Sequence, residues 1–291
     1  VSFEARDLRR AFGGVPAVDG LSLSVAEGEL YGLVGPDGAG KTTTVRMLAG
    51  LLKPDAGAVD LDREALGYMP QQYSLYGDLT VRENLVFFGR LFGLPKAERE
   101  ARMARLLGIT RLARFDDRRA DALSGGMYKK LALACALLHQ PRTLLLDEPS
   151  NGVDPVSRRE LWDLLYEFVG DGMSVLICTP YMDEAARCHR VGLLHHGQLL
   201  AEGAPADLVA RFRHPAVRLW VDDRDAVELE LAADDRVLAV SPEGAALRLV
   251  VRAEAPEALK SLAARGTLEA VAAGFEDVFL ALLRDPTAVT P

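Results

Sequence analysis

The octet Gly35-Pro36-Asp37-Gly38-Ala39-Gly40-Lys41-Thr42 fits the phosphate-loop pattern Gly-x-x-x-x-Gly-Lys-Ser/Thr. A triphosphate spreads several negative charges along a narrow chain of oxygens. Glycines let successive backbone N–H groups turn inward and approach those oxygens. A helix starting at the end of the loop adds its positive N-terminal end. Lys41 supplies a point charge for the β- and γ-phosphates, and the Thr42 hydroxyl is suited to ligate Mg2+. The flanks agree with this reading. Residues 29–34 form an apolar strand, and a helix is expected from about Thr43 to Leu52, stopped by Lys53-Pro54-Asp55.

Outward from the loop, short strands are expected at 2–8, 21–26 and 66–69, and a mostly helical stretch from about Thr80 to Leu138. The apolar run Thr143–Leu146 has the length of a buried parallel strand. Helix 155–169, strand 174–178, helix 182–188 and strands near 190–195 and 198–202 follow. Alternating strands and helices predict a parallel sheet covered on both faces. His214-Pro215 marks a boundary, giving domains 1–213 (helical subdomain about 72–140) and 214–291. The second part reads β-α-β-β-α-β, a ferredoxin-like α+β arrangement, with a last helix at about 275–284. It has no histidine past the boundary, no cysteine and no glycine-rich loop, and reads as a structural or docking module.

The apolar strand ending Leu144-Leu145-Leu146 delivers Asp147 and Glu148 to its carboxyl end, where open α/β sheets bind ligands. Asp147 is suited to hold Mg2+ through water, and Glu148 to polarise an attacking water. Leu123-Ser124-Gly125-Gly126-Met127 opens a helix through Leu138, with Ser124 as N-cap. Its open amides could hold a second anion, such as a γ-phosphate presented from elsewhere; a plain helix start is the competing reading of that segment alone.

In order, these pieces resemble the ATP-binding cassette ATPase family over about residues 2–212. The resemblance rests on Gly35–Thr42 with Thr43, Met69-Pro70-Gln71, Leu-Ser-Gly-Gly-Met, Leu-Leu-Leu-Asp-Glu-Pro and Gly152-Val153-Asp154-Pro155. It implies ATP and Mg2+ as cofactors. Gln71 becomes the residue that senses Mg2+ and couples to a membrane permease, Asp154 the D-loop aspartate, and Phe12 the ring stacked on adenine. It further implies a head-to-tail dimer, in which ATP on one subunit's Gly35–Thr42 loop is closed by the other's Ser124–Gly126 segment. The second cassette lies on the same chain or on another. Phe275-Glu276-Asp277-Val278-Phe279 and Tyr181-Met182-Asp183-Glu184-Ala185 resemble the daunorubicin-resistance-type exporter ATPases.

Three positions depart from the family pattern. Asp37 stands where Asn is usual and adds negative charge near the nucleotide. Tyr128 follows the signature in place of a polar residue, with little effect expected. Pro180 replaces the switch histidine and has neither a side-chain donor nor a backbone N–H. His189, His195 and His196 lie too far along the chain to be taken as substitutes, and His195-His196-Gly197 reads as a strand-end turn. The own site is therefore expected to bind ATP and turn it over slowly, as in the first half of a tandem two-cassette exporter ATPase. A permease groove is expected around Tyr73, Leu75, Tyr76 and Leu79, with Phe87 and Phe88 leaning towards the core.

Bulk properties bound these expectations. The net charge of −8 disfavours nucleic acid, which attracts basic stripes. Cys135, Cys178 and Cys188 read as buried thiols of a reducing compartment. No stretch approaches the length of a membrane span and no signal peptide is evident, so a place at the cytoplasmic face of the cell membrane, through a permease, is expected. A chain beginning at Val1 and ending in a loose tail reads as an excerpt of a longer polypeptide. A regulatory ATP-binding module without turnover and a soluble cassette ATPase acting on ribosomes or DNA stand as alternatives.

Overall fold

The computed structural model describes residues 2–72 and 74–289. Strands β1 (Phe3–Phe12) and β2 (Val15–Val25) form a long antiparallel hairpin ahead of β3 (Leu30–Val34). Helix α1 (Lys41–Leu48) follows the glycine loop, and β4 (Ala56–Asp60) and β5 (Leu66–Met69) come next. The helical region contains α2 (Val81–Leu91), α3 (Lys96–Ile109) and α4 (Gly125–Leu137). Then come β6 (Thr143–Asp147), α5 (Pro155–Gly170), β7 (Ser174–Thr179), α6 (Met182–Ala185), β8 (Arg190–His195), β9 (Gln198–Gly203) and α7 (Pro205–Arg211). The C-terminal part holds β10 (Ala216–Trp220), α8 (Arg224–Ala232), β11 (Val237–Glu243), β12 (Ala246–Val251), α9 (Pro256–Ala263), β13 (Thr267–Val271) and α10 (Phe275–Arg284).

The main sheet has the order β5-β6-β7-β3-β8-β9, parallel except for the β8–β9 hairpin. Its central strands β3, β6 and β7 are buried along their whole length because both faces are covered. Leu30, Val34, Leu144, Leu146, Val175 and Ile177 face the core shared with α4 and α5. Tyr31, Leu33, Leu145 and Leu176 point the other way, towards α1 and the antiparallel sheet β2-β1-β4. The sheet thus separates two apolar layers, and its strand alternation assigns each side chain to one of them.

Several boundaries differ from the sequence expectation. Helix α1 begins at Lys41 and stops at Leu48 rather than running to Leu52, because Gly50 turns the chain at φ 72° before Pro54 is reached. Strands β1 and β2 are longer than expected and β4 was not anticipated; its exposed Ala-Gly-Ala-Val-Asp sequence shows no apolar alternation. Helix α6 is a single turn. Among the described residues no helix is long and apolar enough to cross a membrane. All three cysteines are buried and free, and burial, with a smaller push from Glu184, raises the Cys188 thiol to about 12.

The C-terminal strands pair antiparallel in the order β11-β12-β10-β13. One face packs Val217, Leu219, Leu247 and Leu249 against Leu231 of α8 and Leu262 of α9. The other face meets α10, whose Phe275, Val278, Phe279 and Leu282 join the core that also contains Leu208 and Phe212 of the first part. The boundary at 214 is therefore crossed by continuous apolar packing and by a bridge between Phe212 and Val289.

Candidate functional site

Four parallel strands end on the same edge of the sheet, and each contributes a connection. The loop 35–40 follows β3, Gln71 follows β5, Asp147 and Glu148 close β6, and Pro180 follows β7. They surround an open cavity of about 600 Å³ whose wall includes Phe12, Asp37, Lys41, Thr42, Gln71 and Glu148. Thr43, Asn151, Pro180 and Tyr181 also line it. A separate cleft between Arg102, Leu106 and Phe168 opens at the starts of β6 and β7 and has no glycine loop.

The loop is held from behind. A Cβ on Gly40 would stand 2.3 Å from the Ala17 carbonyl oxygen, and Gly40 has φ 108°, so a side chain there is excluded twice over. Pro36, Ala39 and Gly35 belong to the loop's supporting side: Ala39 donates to the Pro36 carbonyl, and its own carbonyl receives the Gly197 N–H. The Lys41 ammonium is buried and donates to the carbonyls of Gly35 (2.8 Å) and Pro36 (3.0 Å), with Glu148 Oε1 at 3.7 Å.

The two carboxylates have different settings. Thr42 Oγ1 donates to Asp147 Oδ1 at 3.1 Å, while Asp147 Oδ2 is buried with no partner in the described structure. Burial holds the Asp147 carboxyl above its usual range, opposed first by the Thr42 bond. A buried carboxylate oxygen beside a hydroxyl and facing the loop fits a hydrated divalent cation, with the Gln71 amide on the same wall. Glu148 adopts φ 48°, a left-handed conformation uncommon outside glycine. That turn brings its carboxylate to Gln71 Nε2 at 2.7 Å and Asn151 Nδ2 at 3.2 Å.

Ser124, Gly125, Gly126 and Asp154 do not line the cavity; they gather in a second cluster. Ser124 caps α4, accepting the Met127 N–H, and Asp154 caps α5, accepting the N–H groups of Val156 and Ser157. A Cβ on Gly126 would lie 2.3 Å from the Ser157 side chain, so glycine is what allows α4 to meet the start of α5. Ser124, Gly125, Asn151, Gly152 and Asp154 are all exposed, forming one solvent-facing surface.

Phe12 is 50% exposed on the cavity rim, with the Arg10 guanidinium 5.1 Å from its ring centroid. Pro180 stands on the cavity wall, and no histidine does. His189 Nδ1 receives the Leu30 N–H at 3.2 Å at the far end of β3, and His195 and His196 form the β8–β9 turn. Tyr73 lies outside the described residues. Leu75 and Phe88 pack against the core, whereas Tyr76 and Phe87 are exposed and meet edge to face at 4.6 Å. Phe87 thus departs from the expected core position, because α2 turns it away from the buried face of Leu85. Asn151 and Lys129 carry no expectation from the sequence, and Tyr181 enters it only within the stretch 181–185; Asn151, a turn past Glu148, had a local hint.

A model described as ABC transporter matches residues 18–151. The chain is 38% identical over 293 residues to the Nod factor export ATP-binding protein I of Burkholderia lata, covering 95% of each. It is 49% identical over 214 residues to the probable multidrug ABC transporter ATP-binding protein YbhF of Escherichia coli K12. That alignment covers 69% of this chain but only 37% of YbhF, so the chain spans well under half of that relative. A solved structure of an ATP binding subunit of an ABC transporter superposes with a TM-score of 0.66 at 30% identity, covering 72% of this chain and 92% of that one.

Proposed function

The chain belongs to the ABC transporter family of ATP-binding proteins, and from that premise we propose that it is the ATP-binding and ATP-hydrolysing subunit, or half, of an exporter. One observation carries the reading: Lys41, Thr42, Gln71 and Glu148, delivered by three different strand ends, line a single cavity. In this reading the amides of Gly38 to Thr43 and the Lys41 ammonium hold the phosphates, and Phe12 stacks on the adenine. Thr42, Asp147 and Gln71 hold Mg2+, which neutralises phosphate charge when bound. Glu148, oriented by Gln71 and Asn151, polarises the attacking water.

A second cassette, arranged head to tail, supplies the missing side of the cavity. The exposed Ser124, Gly125 and Asp154 support this, since none of them lines the chain's own cavity. A membrane permease is proposed to dock on the exposed Tyr76 and Phe87, holding the protein at the cytoplasmic face. Residues 214–291 are taken as a separate ferredoxin-like domain on the strength of their strand order.

Pro180 supports slow turnover at the chain's own site, because among the described residues no imidazole lines the cavity. The test is ATP binding by calorimetry together with turnover of the original chain and of Pro180→His. ATP should bind both, and the substitution should raise turnover by about tenfold or more. Fast hydrolysis unchanged by the substitution overturns the slow-site reading, and failure to bind ATP overturns the function. Pro180 also favours a second reading, a regulatory module that never turns over; a single-turnover rate no greater than that of Glu148→Gln would select it.

A further inference from the structure

The segment after β5 is tied at three points to the helical region. Lys129 Nζ donates to the Gln71 carbonyl at 2.8 Å, and the Leu75 N–H donates to Tyr128 Oη at 3.3 Å. Further on, the fully buried Asn84 accepts the Tyr76 N–H (2.9 Å) and donates to the carbonyls of Tyr76 and Leu79. Gln71 is therefore held from two sides. Its side chain grips Glu148 of the sheet, and its carbonyl is gripped by α4. Helix α4 is the element whose first residues are Gly125 and Gly126, and Tyr128 donates its own N–H to the Ser124 carbonyl. The path from Glu148 to Ser124 thus runs through two side-chain hydrogen bonds and one rigid helical turn.

We propose that Lys129 is a positioning residue that couples occupancy of the Glu148 cavity to the placement of the Ser124–Gly126 surface. The inference rests on the functional reading above. When a ligand draws Gln71 away from Glu148 or towards it, the Lys129 ammonium carries the displacement into α4, because a helix moves as a unit rather than bending at one bond. Lys129 is half-buried. Burial lowers its affinity for a proton, and the Asp147 and Glu148 carboxylates oppose that. Tyr128 is the second tether and keeps the segment from swinging about Gln71.

The experiment is amide hydrogen exchange on the whole chain with and without the β,γ-imido analogue of ATP and Mg2+, alongside the analogue's affinity. In the original chain the analogue should slow exchange at 71–76 and at 124–128, the latter by about tenfold, within the usual range of coupling between sites. Lys129→Met keeps the apolar stem and removes the donor. It should bind the analogue with little change in affinity, and the slowing at 124–128 should disappear while that at 71–76 persists. Lys129→Arg should restore it. If Lys129→Met does not fold, Tyr128→Phe carries the test, with a reduced response at 124–128 expected. A full response in the substituted chain, or no response at 124–128 in the original, overturns the coupling while leaving the functional reading intact. Loss of affinity together with the response also overturns it, since Lys129 would then belong to the binding surface. An original chain that binds no analogue overturns the functional reading itself.

Discussion

Gly40 and Glu148 both shape the cavity through left-handed backbone conformations. Gly40 sits where both φ and the Ala17 carbonyl exclude a side chain. Gly40→Ala should therefore displace the loop amides, and ATP affinity should fall by about tenfold or more, as expected when backbone strain and a close contact are added together; titration calorimetry reads it directly. At the other end of the chain, Asp285 accepts from the Thr287 hydroxyl (2.6 Å), the Thr287 N–H (3.0 Å) and Arg252 (2.5 Å). These bonds, Thr287 foremost, hold its carboxyl down to about 2. A depressed carboxyl stabilises the fold fully above its unfolded value of 3.8, and that contribution is lost as pH falls towards about 2. Thermal melts from pH 5 downwards should show a shallower loss for Asp285→Asn than for the original chain across that window.

At the scale of elements, capping explains why the helical region starts where it does. Thr80 accepts the Glu83 N–H at 3.1 Å, and Glu83 accepts the Thr80 N–H at 2.8 Å, a reciprocal capping box at the head of α2. Thr80→Ala should cost about 1 kcal/mol of stability, measured by urea unfolding. The same logic was legible for α4. Ser124 is expected as the cap of α4 and has that role, whereas Asp154, expected only as the D-loop aspartate, turns out to cap α5. Less legible was β4, which has no apolar alternation and owes its existence to backbone bonds with β1, whose register no local pattern specifies. Helix α1 was misjudged at its end because Gly50 acts sooner than Pro54.

For the whole molecule, α10 is the wedge between the C-terminal sheet and the first part. Asp277 pairs with Arg248 of β12 through both oxygens (2.8 and 2.6 Å) and also receives the Gly274 N–H. The pair is largely buried, so Asp277→Ala strands a guanidinium and should cost about 3 kcal/mol. Urea unfolding followed at Trp220 and Trp162 should show the C-terminal part loosening first. The stretch Phe275–Phe279 thus has a structural use: three of its side chains enter the shared core and a fourth makes the ion pair.

By itself the sequence determined the parts that depend on local spacing: the glycine loop between a strand and a helix, the carboxylates at the end of β6, the capped start of α4, and the proline at 180. Each is a pattern of neighbouring residues acting on one stretch of backbone, so no partner has to be known. Only the tertiary structure decided which of these parts meet. The strand order β5-β6-β7-β3 puts Gln71, Glu148 and Lys41 around one cavity and leaves Ser124–Gly126 outside it. It also ties Lys129 to Gln71 and seats α10 on the first part. Those contacts join residues far apart in the chain, and their separation is set by how the sheet twists and the helices pack, which no short-range pattern encodes.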